Sequence, residues 1–300
     1  MTDDDSRRDV VVVGGGPTGC SAAVFTARYG LDTLVFDRGP AALPRCAYLE
    51  NYPGFPAGID VATFRDLLHD HVAEAGGRVV AETVESVSRS ADGDAFVVAT
   101  DADRRVVADR VVAAAWYEGS YLRPLDDGDM FETEIHHGEE HEQLSRTFAD
   151  ADGRTPIEGL YVASPTDSRS EQAVVSAGQG AHVARSLISD HRRGRGYPEG
   201  VATHYDWRRQ ASELSGEWSD RDRWREWFDN EAGDDHGLDD DRYLELREEH
   251  IDRAFDSKLT EAAVEARTER GYRRLLDHIP DDAIRSYLDD RAAETERDDG

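Results

Sequence analysis

The sequence is poor in cysteine and lysine and has no long uninterrupted apolar segment. Its 300 residues include only two cysteines, Cys20 and Cys46, too few for a disulfide scaffold or for a cysteine-ligated zinc or iron–sulfur cluster. The sequence contains neither a signal-peptide pattern nor an apolar run long enough to span a bilayer. We therefore expect a cytoplasmic protein that makes no membrane contact.

Positive charge is scarce as well. The 35 basic residues stand against 64 acidic ones, giving a formal net charge of −29, so phosphate backbones and anionic membranes are repelled and nucleic acid is excluded as a partner. Of the basic residues only Lys258 is a lysine. This acidic, arginine-dominated composition resembles that of proteins from salt-loving archaea, in whose molar salt the Debye length falls to about 3 Å and self-repulsion is screened. The alternative is an ordinary acidic protein from a GC-rich genome.

The chain changes character near residues 195–205. Before this stretch, short β-branched runs alternate with glycine turns; after it, charged segments carry apolar residues at helical spacing. The last 100 residues hold 16 basic and 30 acidic side chains, against 19 and 34 in the first 200. We predict an N-terminal domain over 1–198 and an acidic helical extension over 199–300.

A nucleotide-binding pattern occupies the first forty residues. The β-branched run at 9–13 leads into Gly14-Gly15-Gly16-Pro17-Thr18-Gly19, and residues 20–29 are typical of a helix that ends at Gly30. In this arrangement the glycines permit a tight turn and the approach of a pyrophosphate to the helix N-terminus. A second strand, 33–36, ends in Asp37, where such units place the acid that binds a ribose hydroxyl. The alternative is a Rossmann-like unit whose glycines only make a turn.

A family resemblance rests on two later segments. Residues 50–56, Glu-Asn-Tyr-Pro-Gly-Phe-Pro, following the glycine fingerprint, resemble the FAD domain of thioredoxin reductases and related pyridine nucleotide-disulfide oxidoreductases. Residues 171–180 resemble the helix of that family whose N-terminus points at the flavin. The resemblance covers residues 8–192. It implies an α/β fold, a Rossmann-like FAD-binding domain with a parallel sheet and a three-stranded antiparallel meander, to which the helical extension is added.

The resemblance also implies the cofactor and its contacts. Glycines and their neighbours would hold the pyrophosphate, Asp37 the ribose, the backbone of Val84 the adenine, and Asn51 with Gln172 the flavin. The complete set of FAD-binding residues that it implies is Gly14, Gly15, Gly16, Pro17, Thr18, Asp37, Arg38, Asn51, Val84, Ala114, Ser164, Gln172 and Ala173. The elements expected in this region are a helix over 62–75 and strands over 78–80, 83–87, 96–100, 105–107 and 111–115.

Three features depart from the family. Only about forty residues separate the strand near Val111 from the return near Arg154, too few for a nicotinamide-binding domain, and we predict a short acidic excursion over 126–153 in its place. No Cys-x-x-Cys is present, so the exchangeable dithiol of a disulfide reductase is missing. The flavin-contacting turns also differ, reading Ala114-Ala115-Trp116 and Ser164-Pro165.

Further candidates each have a simpler alternative. Cys46 lies four residues before Glu50 and could act as a redox thiol near the flavin, or be buried as a small hydrophobe. Histidines and glutamates form a ligand-rich patch that we interpret as a solvated linker rather than a metal site: His136, His137, Glu139, Glu140, His141 and Glu142. Likewise we interpret an aspartate cluster as a solvated turn: Asp234, Asp235, Asp239, Asp240 and Asp241.

In the extension we predict helices over 204–214, 220–230, 239–266 and 281–293. Four of the five tryptophans fall within it: Trp207, Trp218, Trp224 and Trp227. One interpretation is that these aromatics form a helical stripe that docks the extension onto the first domain or onto a second subunit. The other is that they cover the exposed face of the flavin and so shape a substrate pocket.

The function that we predict is an FAD-dependent oxidoreductase without Cys-x-x-Cys chemistry, supplied with electrons by an external donor. That donor is NAD(P)H, a ferredoxin or partner flavoprotein, or the substrate itself. The redox partner is a small molecule or a protein, and a homodimer is compatible with the sequence. The alternative is a non-catalytic nucleotide-binding or scaffold protein derived from an FAD domain. No residue is assigned as a general acid, a general base or a nucleophile.

Overall fold

The computed structural model of the protein describes residues 7–39, 43–115, 119–136, 139–163, 172–210, 212–233 and 236–298. The chain divides into two compact units, Met1–Asp206 and Trp207–Gly300. The first unit is a mixed α/β fold and the second is mainly helical, which confirms the predicted fold class. The boundary expected between residues 198 and 199 stays a prediction, because compactness alone does not define an independently folding domain.

Strands and helices alternate along the first unit. Its described strands are β1 (Arg8–Val13), β2 (Thr33–Phe36), β3 (Arg78–Val80), β4 (Val84–Arg89), β5 (Phe96–Thr100), β6 (Arg105–Ala113), β7 (Phe131–His136), β8 (Glu139–Leu144) and β9 (Leu160–Val162). Its described α-helices are α1 (Pro17–Tyr29), α2 (Val61–Glu74), α3 (Ala173–Gly194) and α4 (Glu199–Ala202).

One seven-stranded sheet organises this unit, in the order β3-β2-β1-β6-β5-β4. Strands β3, β2, β1 and β6 are parallel, whereas β6, β5 and β4 form an antiparallel meander. Strands β5 and β9 both pair with the same side of β6. Strand β5 pairs with the amino half of β6 in the antiparallel sense, and β9 pairs with its carboxyl half in the parallel sense. The carboxyl ends of β1, β2, β6 and β9 therefore meet at one edge of the sheet, where α/β proteins bind ligands.

Strand β1 shows how the two faces of the sheet are buried. Val10 and Val12 lie in the cluster formed with the helices, whereas Val11 and Val13 lie in the cluster on the meander side. All four valines are at most 5% exposed. A strand buried on both faces reads as a continuous apolar run instead of an alternating one, as residues 10–13 do.

Most predicted elements of this unit are present, with one error in the sheet. Strand β3 has the predicted bounds, and α2 begins and ends one residue before the predicted helix over 62–75. The separate strands predicted over 105–107 and 111–115 are wrong, because β6 is a single strand of nine residues. Its amino half pairs with β5 in the meander and its carboxyl half pairs with the parallel strands. The polar residues Asp109 and Arg110, which suggested a break between two strands, lie inside this one strand.

The excursion predicted over 126–153 contains ordered structure. Strands β7 and β8 form an antiparallel hairpin, which corrects the interpretation of this region as a solvated linker. Met130, just before β7, is fully buried, and Phe131 and Leu144 pack against the meander-side cluster. Burial of this apolar base orders the hairpin even though its strands are rich in glutamate.

The second unit is built from helices and one short strand pair. Its described elements are β10 (Arg209–Gln210), α5 (Arg221–Ala232), α6 (Asp240–Asp256), β11 (Lys258–Leu259), α7 (Glu261–Leu276) and α8 (Asp281–Asp298). Strands β10 and β11 are parallel. The core contains Leu214, Trp224 and Ile251, with Trp218 and Trp227 packed against it. Three of the four tryptophans of this unit thus contribute to its core, whereas Trp207 is exposed.

Two helix predictions in this unit are wrong. Among the described residues of 204–214 no helix is present. His204, which belongs to the first unit, packs against Tyr29, and residues 209–210 form β10, whose Arg209 N–H donates to the Ser257 carbonyl. Nor does one helix run over 239–266. Helix α6 ends at Asp256, and Thr260 begins α7 because its hydroxyl accepts a hydrogen bond from the Ala263 N–H at 3.2 Å.

Candidate functional site

The glycine loop lies where β1, β2 and β6 end. The Gly14 N–H donates to the Phe36 carbonyl at 2.8 Å, and the Ala114 N–H donates to the Val13 carbonyl at 2.9 Å. Gly14 has φ +116°, and a Cβ atom there would lie 2.8 Å from the Ala114 backbone. Glycine is required at this position because both the conformation and the close approach exclude a side chain. Gly14 and Ala114, predicted from distant segments, are therefore adjacent.

The loop leaves an open cradle at the N-terminus of α1. Gly16 precedes the helix in an extended conformation and Pro17 is its first residue. A Cβ atom on Gly16 would meet nothing within 4 Å. The first N–H groups of a helix have no intrahelical partner and carry the positive end of the helix dipole. This end of α1 therefore provides donors and space for an anion such as a pyrophosphate.

Close packing holds the first turn of α1 in position. A Cβ atom on Gly19 would lie 1.8 Å from the Gly14 carbonyl oxygen, and one on Gly180 would lie 1.9 Å from the Thr18 carbonyl oxygen. Thr18 is 7% exposed. Helices α1 and α3 thus approach each other through backbone at this point, so the predicted loop residue Thr18 is fixed from the α3 side.

Asp37 lies at the end of β2, is 5% exposed and accepts hydrogen bonds from three groups. The Gly39 N–H donates to Oδ1 at 3.0 Å. Arg65 donates to Oδ2 from Nη2 at 2.6 Å and from Nε at 3.2 Å, and His69 Nε2 lies 3.3 Å from the same oxygen. Burial alone would raise the pKa of Asp37, but the hydrogen bonds from His69 and Arg65 outweigh it and lower the pKa to about 2. Asp37 is therefore an anion at neutral pH.

Arg65 and His69 were not predicted as site residues. Both lie on α2, four residues apart and thus on one helix face, and His69 Nε2 is also 3.0 Å from the Gly15 carbonyl oxygen. The hydrogen bond with Asp37 raises the pKa of His69 above its ordinary value. Their spacing was visible in the sequence, but only the packing of α2 shows that this face meets Asp37.

A cavity of about 300 Å³ lies beside the loop. It is lined by Gly14, Arg38, Val84, Ala115 and Tyr121, among others. Arg38 and Val84 were predicted to contact the cofactor, whereas Tyr121 was not, because it lies in a 3-10 turn that precedes the hairpin. Burial raises the pKa of the Tyr121 phenol, so its hydroxyl remains protonated.

The loop that leads into β4 is braced at the cavity wall. Glu82, which lines the cavity, receives hydrogen bonds from the Arg104 guanidinium at 2.8 and 3.0 Å and from the Thr100 hydroxyl at 2.8 Å. The hydrogen bonds from Arg104 lower the pKa of this carboxyl. The brace fixes the backbone just before Val84, where the resemblance places the adenine.

The residues expected at the flavin end are also brought together. The side-chain amide of Asn51 donates to the Gln172 side chain at 2.7 Å, joining positions 121 residues apart. Gln172 is the cap residue of α3 and Ala173 begins that helix. The segment that carries Asn51 is held by its own aromatic contacts, since the Tyr52 and Phe64 rings lie 4.9 Å apart. Ser164, Pro165 and Trp116 lie outside the described residues.

The two cysteines have different surroundings. Cys20 is 1% exposed, its Sγ donates to the Gly15 carbonyl at 3.2 Å, and burial raises its pKa to about 12. Cys46 is partly exposed, and its Sγ donates to the Tyr48 carbonyl at 3.0 Å. Cys20 therefore has a packing role, and Cys46 is the more accessible thiol.

The described residues include many histidine, aspartate and glutamate side chains. Among them, no group of three or more histidine, cysteine, aspartate or glutamate side chains is arranged to hold a metal ion. His137, Asp234 and Asp235 fall outside the described ranges. Within those ranges, no helix is both long enough and apolar enough to cross a membrane.

Comparisons with known proteins give a consistent result. The model of the family described as pyridine nucleotide-disulphide oxidoreductase matches residues 6–180. The chain is similar to the thioredoxin reductase of Neurospora crassa, with 26% identity over 194 residues, covering 61% of this chain and 55% of the relative. It is also similar to the bifunctional thioredoxin reductase/thioredoxin of Mycobacterium leprae, with 39% identity over 86 residues, covering 28% of this chain and 19% of the relative.

The solved structures support the fold. A thioredoxin reductase from Gloeobacter violaceus matches with a TM-score of 0.52 at 17% identity, covering 67% of this chain and 97% of that chain. At this identity the likeness shows the fold alone. The chain spans 55% and 19% of the length of the two relatives named above.

Proposed function

The chain belongs to the pyridine nucleotide-disulphide oxidoreductase family, and from this premise we propose that it is an FAD-dependent oxidoreductase that takes electrons from an external donor. The proposal rests on one observation, that residues from distant parts of the sequence lie together at one edge of the sheet. Gly14, Asp37 and Ala114 follow the adjacent parallel strands β1, β2 and β6, and Asn51 is hydrogen-bonded to Gln172. Residues expected to contact one extended cofactor therefore lie at one edge of the sheet, the edge that binds dinucleotides in doubly wound folds.

The described residues fit the adenosine and pyrophosphate half of FAD. The cradle at Gly16 has room for phosphate oxygens, since a Cβ atom there meets nothing within 4 Å. The adjacent cavity of about 300 Å³ has both apolar and polar lining. The anionic Asp37 supplies acceptors for ribose hydroxyls, and its neighbours Arg65 and His69 limit its repulsion of the pyrophosphate. These features together favour an adenine dinucleotide over a simple phosphate.

Each part of the chain would have a distinct role in the reaction. The N-terminus of α1 binds the pyrophosphate, and the backbone at Val84 contacts the adenine. The N-terminus of α3, which follows Gln172, would stabilise negative charge at the far end of the cofactor. Bound FAD supplies the electron-carrying chemistry itself. Val174 and Val175, 38% and 39% exposed in the first turn of α3, provide apolar surface there.

We infer that this chemistry does not use a Cys-x-x-Cys dithiol. The sequence has only Cys20 and Cys46, and the buried Cys20 has a pKa of about 12, so it does not form the thiolate needed for exchange near neutral pH. The electron donor would then be NAD(P)H, a ferredoxin or flavoprotein, or the substrate. The proposal places the protein in the cytoplasm, with a small-molecule or protein redox partner.

The direct test is the visible absorption spectrum of the full chain purified in multimolar KCl, with any released cofactor identified after denaturation. We expect a flavin spectrum and released FAD. The matched variant is Gly16→Val, because position 16 is extended, with φ −83° and ψ −172°, and has space for a side chain. It should lower FAD affinity at least tenfold while the fold persists, since valine tolerates this conformation.

Gly194→Ala serves as the control, because this glycine lies at the far end of α3 and also has free space around it. It should retain FAD. A colourless, folded wild-type protein that stays colourless after incubation with FAD would refute the flavoenzyme. That outcome would favour the alternative, a nucleotide-binding or scaffold protein. The sequence Ser164-Pro165 is consistent with this alternative, because proline has no backbone N–H to donate to a cofactor.

A further inference from the structure

Four nitrogen atoms from three residues surround the carboxylate of Asp37. Its Oδ1 accepts from the Gly39 N–H, while Oδ2 accepts from two nitrogens of Arg65 and lies 3.3 Å from His69 Nε2. The Asp37 side chain is 6% exposed and that of Arg65 is 33% exposed. A buried carboxylate has few other ways to offset its lost hydration, so these donors determine both its charge and its orientation.

Helix α2 also connects this carboxylate to the glycine loop. His69 Nε2 is 3.0 Å from the Gly15 carbonyl oxygen, and a Cβ atom on Gly15 would lie 2.5 Å from Asp37 Cβ. Asp37 thus packs directly on the backbone of the loop, and His69 contacts both the Asp37 carboxylate and the Gly15 carbonyl oxygen. Three segments that are separate in sequence, the loop, the end of β2 and α2, meet at this one carboxylate.

We propose that Arg65, assisted by His69, is a positioning residue of the nucleotide site, which fixes the Asp37 carboxylate in the orientation that accepts the ribose hydroxyls of an adenine nucleotide. This inference rests on the proposed function, since the ribose belongs to the adenosine half of the FAD site. The physical reason is preorganisation: an acceptor already held in its binding orientation loses little conformational freedom when the ligand arrives.

The inference makes a specific claim about ligand selectivity. If Arg65 only stabilised the fold, its removal would weaken every nucleotide by the same factor. If it positions Asp37, its removal weakens ligands whose hydroxyl donates to Asp37 more than ligands that lack this hydroxyl, and so lowers the ratio of the two affinities. A hydrogen bond from that hydroxyl to a charged acceptor is strong, so we expect wild-type protein to prefer ADP over 2′-deoxy-ADP about tenfold, a difference of about 1.4 kcal/mol.

The experiment is calorimetric titration of the full chain with ADP and with 2′-deoxy-ADP, in multimolar KCl, after dialysis against KBr to remove bound flavin. Asp37→Asn and Arg65→Leu should each bring the affinity ratio of the two ligands close to one. Arg65→Lys should retain part of the ratio, because it restores the charge but not the bidentate geometry. His69→Gln should lower the ratio less than Arg65→Leu does.

The matched control is Arg154→Leu. Its side chain is 32% exposed, close to the 33% of Arg65, and pairs with Asp152 and Asp190. It lines a surface pocket with Arg7 and Leu160, at the amino ends of β1 and β9 and away from the nucleotide edge. This variant should keep the wild-type ratio. If Arg65→Leu and Arg65→Lys both keep the wild-type ratio while Asp37→Asn abolishes it, Arg65 has only a structural role and the inference fails. It also fails if the wild type does not discriminate between the ligands.

The inference and the proposed function can fail separately. Protein that binds no FAD, yet prefers ADP through Asp37 and Arg65, would refute the flavoenzyme and leave the positioning role intact. Protein that binds FAD without ribose selectivity would do the reverse.

Discussion

Two of the three glycines of helix α3, Gly178 and Gly180, are predicted to respond in opposite ways to the same substitution. A Cβ atom on Gly178 would meet nothing within 4 Å, whereas one on Gly180 would lie 1.9 Å from the Thr18 carbonyl oxygen of α1. Gly178→Ala should therefore stabilise the protein and Gly180→Ala should destabilise it. Because both positions lie in the same helix, they share its intrinsic propensity and differ only in their surroundings.

The magnitudes follow from the packing of α1 against α3. Replacing a helical glycine by alanine gains about 0.5–1 kcal/mol where nothing obstructs the methyl group. At Gly180 the clash is with backbone, so α3 must move away from α1, which weakens packing along their contact. Overpacking typically costs about 1–3 kcal/mol and occasionally more, and a methyl group 1.9 Å from a backbone oxygen belongs at or above the upper end of this range. We expect a net loss of about 2–4 kcal/mol for Gly180→Ala.

Thermal unfolding by calorimetry in multimolar KCl measures both changes. At about 2–4 °C per kcal/mol for a unit of this size, Gly180→Ala should lower Tm by roughly 4–16 °C and Gly178→Ala should raise it by roughly 1–4 °C. Tryptophan fluorescence is less suitable, because four of the five tryptophans lie in the second unit. Gly180→Ala with a Tm equal to or above that of Gly178→Ala would refute the close approach of the two helices.

Three further predictions concern pH, thiol reactivity and salt. Because the pKa of Asp37 is lowered to about 2 from 3.8, its contribution of about 2 kcal/mol is present above pH 4 and is lost as the pH falls towards 2. Because the pKa of His69 is raised above 6.5, its contribution is lost as the pH rises through that higher value. Urea unfolding against pH should show both slopes in wild type and a weaker acid slope in Arg65→Leu. Iodoacetamide at pH 8 should modify Cys46 in the native protein and Cys20 only after unfolding, as mass spectrometry will show, because Cys20 is buried with a pKa of about 12. Dialysis from multimolar KCl into dilute buffer should lower Tm, because the net charge of −29 is then unscreened.

Each of these three has a clear contrary result. An acid slope unchanged in Arg65→Leu would mean that the ion pair does not hold the pKa of Asp37 down. Modification of Cys20 at the rate of Cys46 would mean that α1 opens readily. A Tm that does not depend on KCl would refute the interpretation of the composition as an adaptation to high salt.

The adenosine side of the site was predictable because its determinants are local in sequence. The turn at Gly14, the N-terminus of α1 and the acid that follows β2 occur within 24 consecutive residues. The order strand, glycine turn, helix, strand and acid is the one that a dinucleotide-binding unit requires. The pair Asn51 and Gln172 was predicted only through resemblance to a family, since no local pattern relates residues 121 positions apart.

What sequence reasoning missed depends on packing between distant segments. Arg65 and His69 resemble any exposed helix face until α2 is placed beside Asp37, and Tyr121 reaches the cavity from a turn without a recognisable pattern. The break before α7 is different in kind. The Thr260 hydroxyl caps that helix, so a local signal was present, but the charged residues on both sides continued the helical spacing and concealed it.

Because the sequence contains a single lysine and this residue lies in the strand pair of the second unit, proteolysis can be used to measure local opening there. Lys258, the sole lysine of the sequence, lies in β11, whose partner β10 joins residues some fifty positions earlier in the chain. A lysine-specific protease has a single bond to cut, after residue 258. The Lys258 side chain is exposed, but its backbone is paired with β10, so we expect cleavage to require opening of the strand pair. If the strand pair closes faster than the protease cleaves, the cleavage rate reports the equilibrium constant for local opening. The intact chain and its 1–258 fragment on a gel are then enough to follow the local opening of this unit.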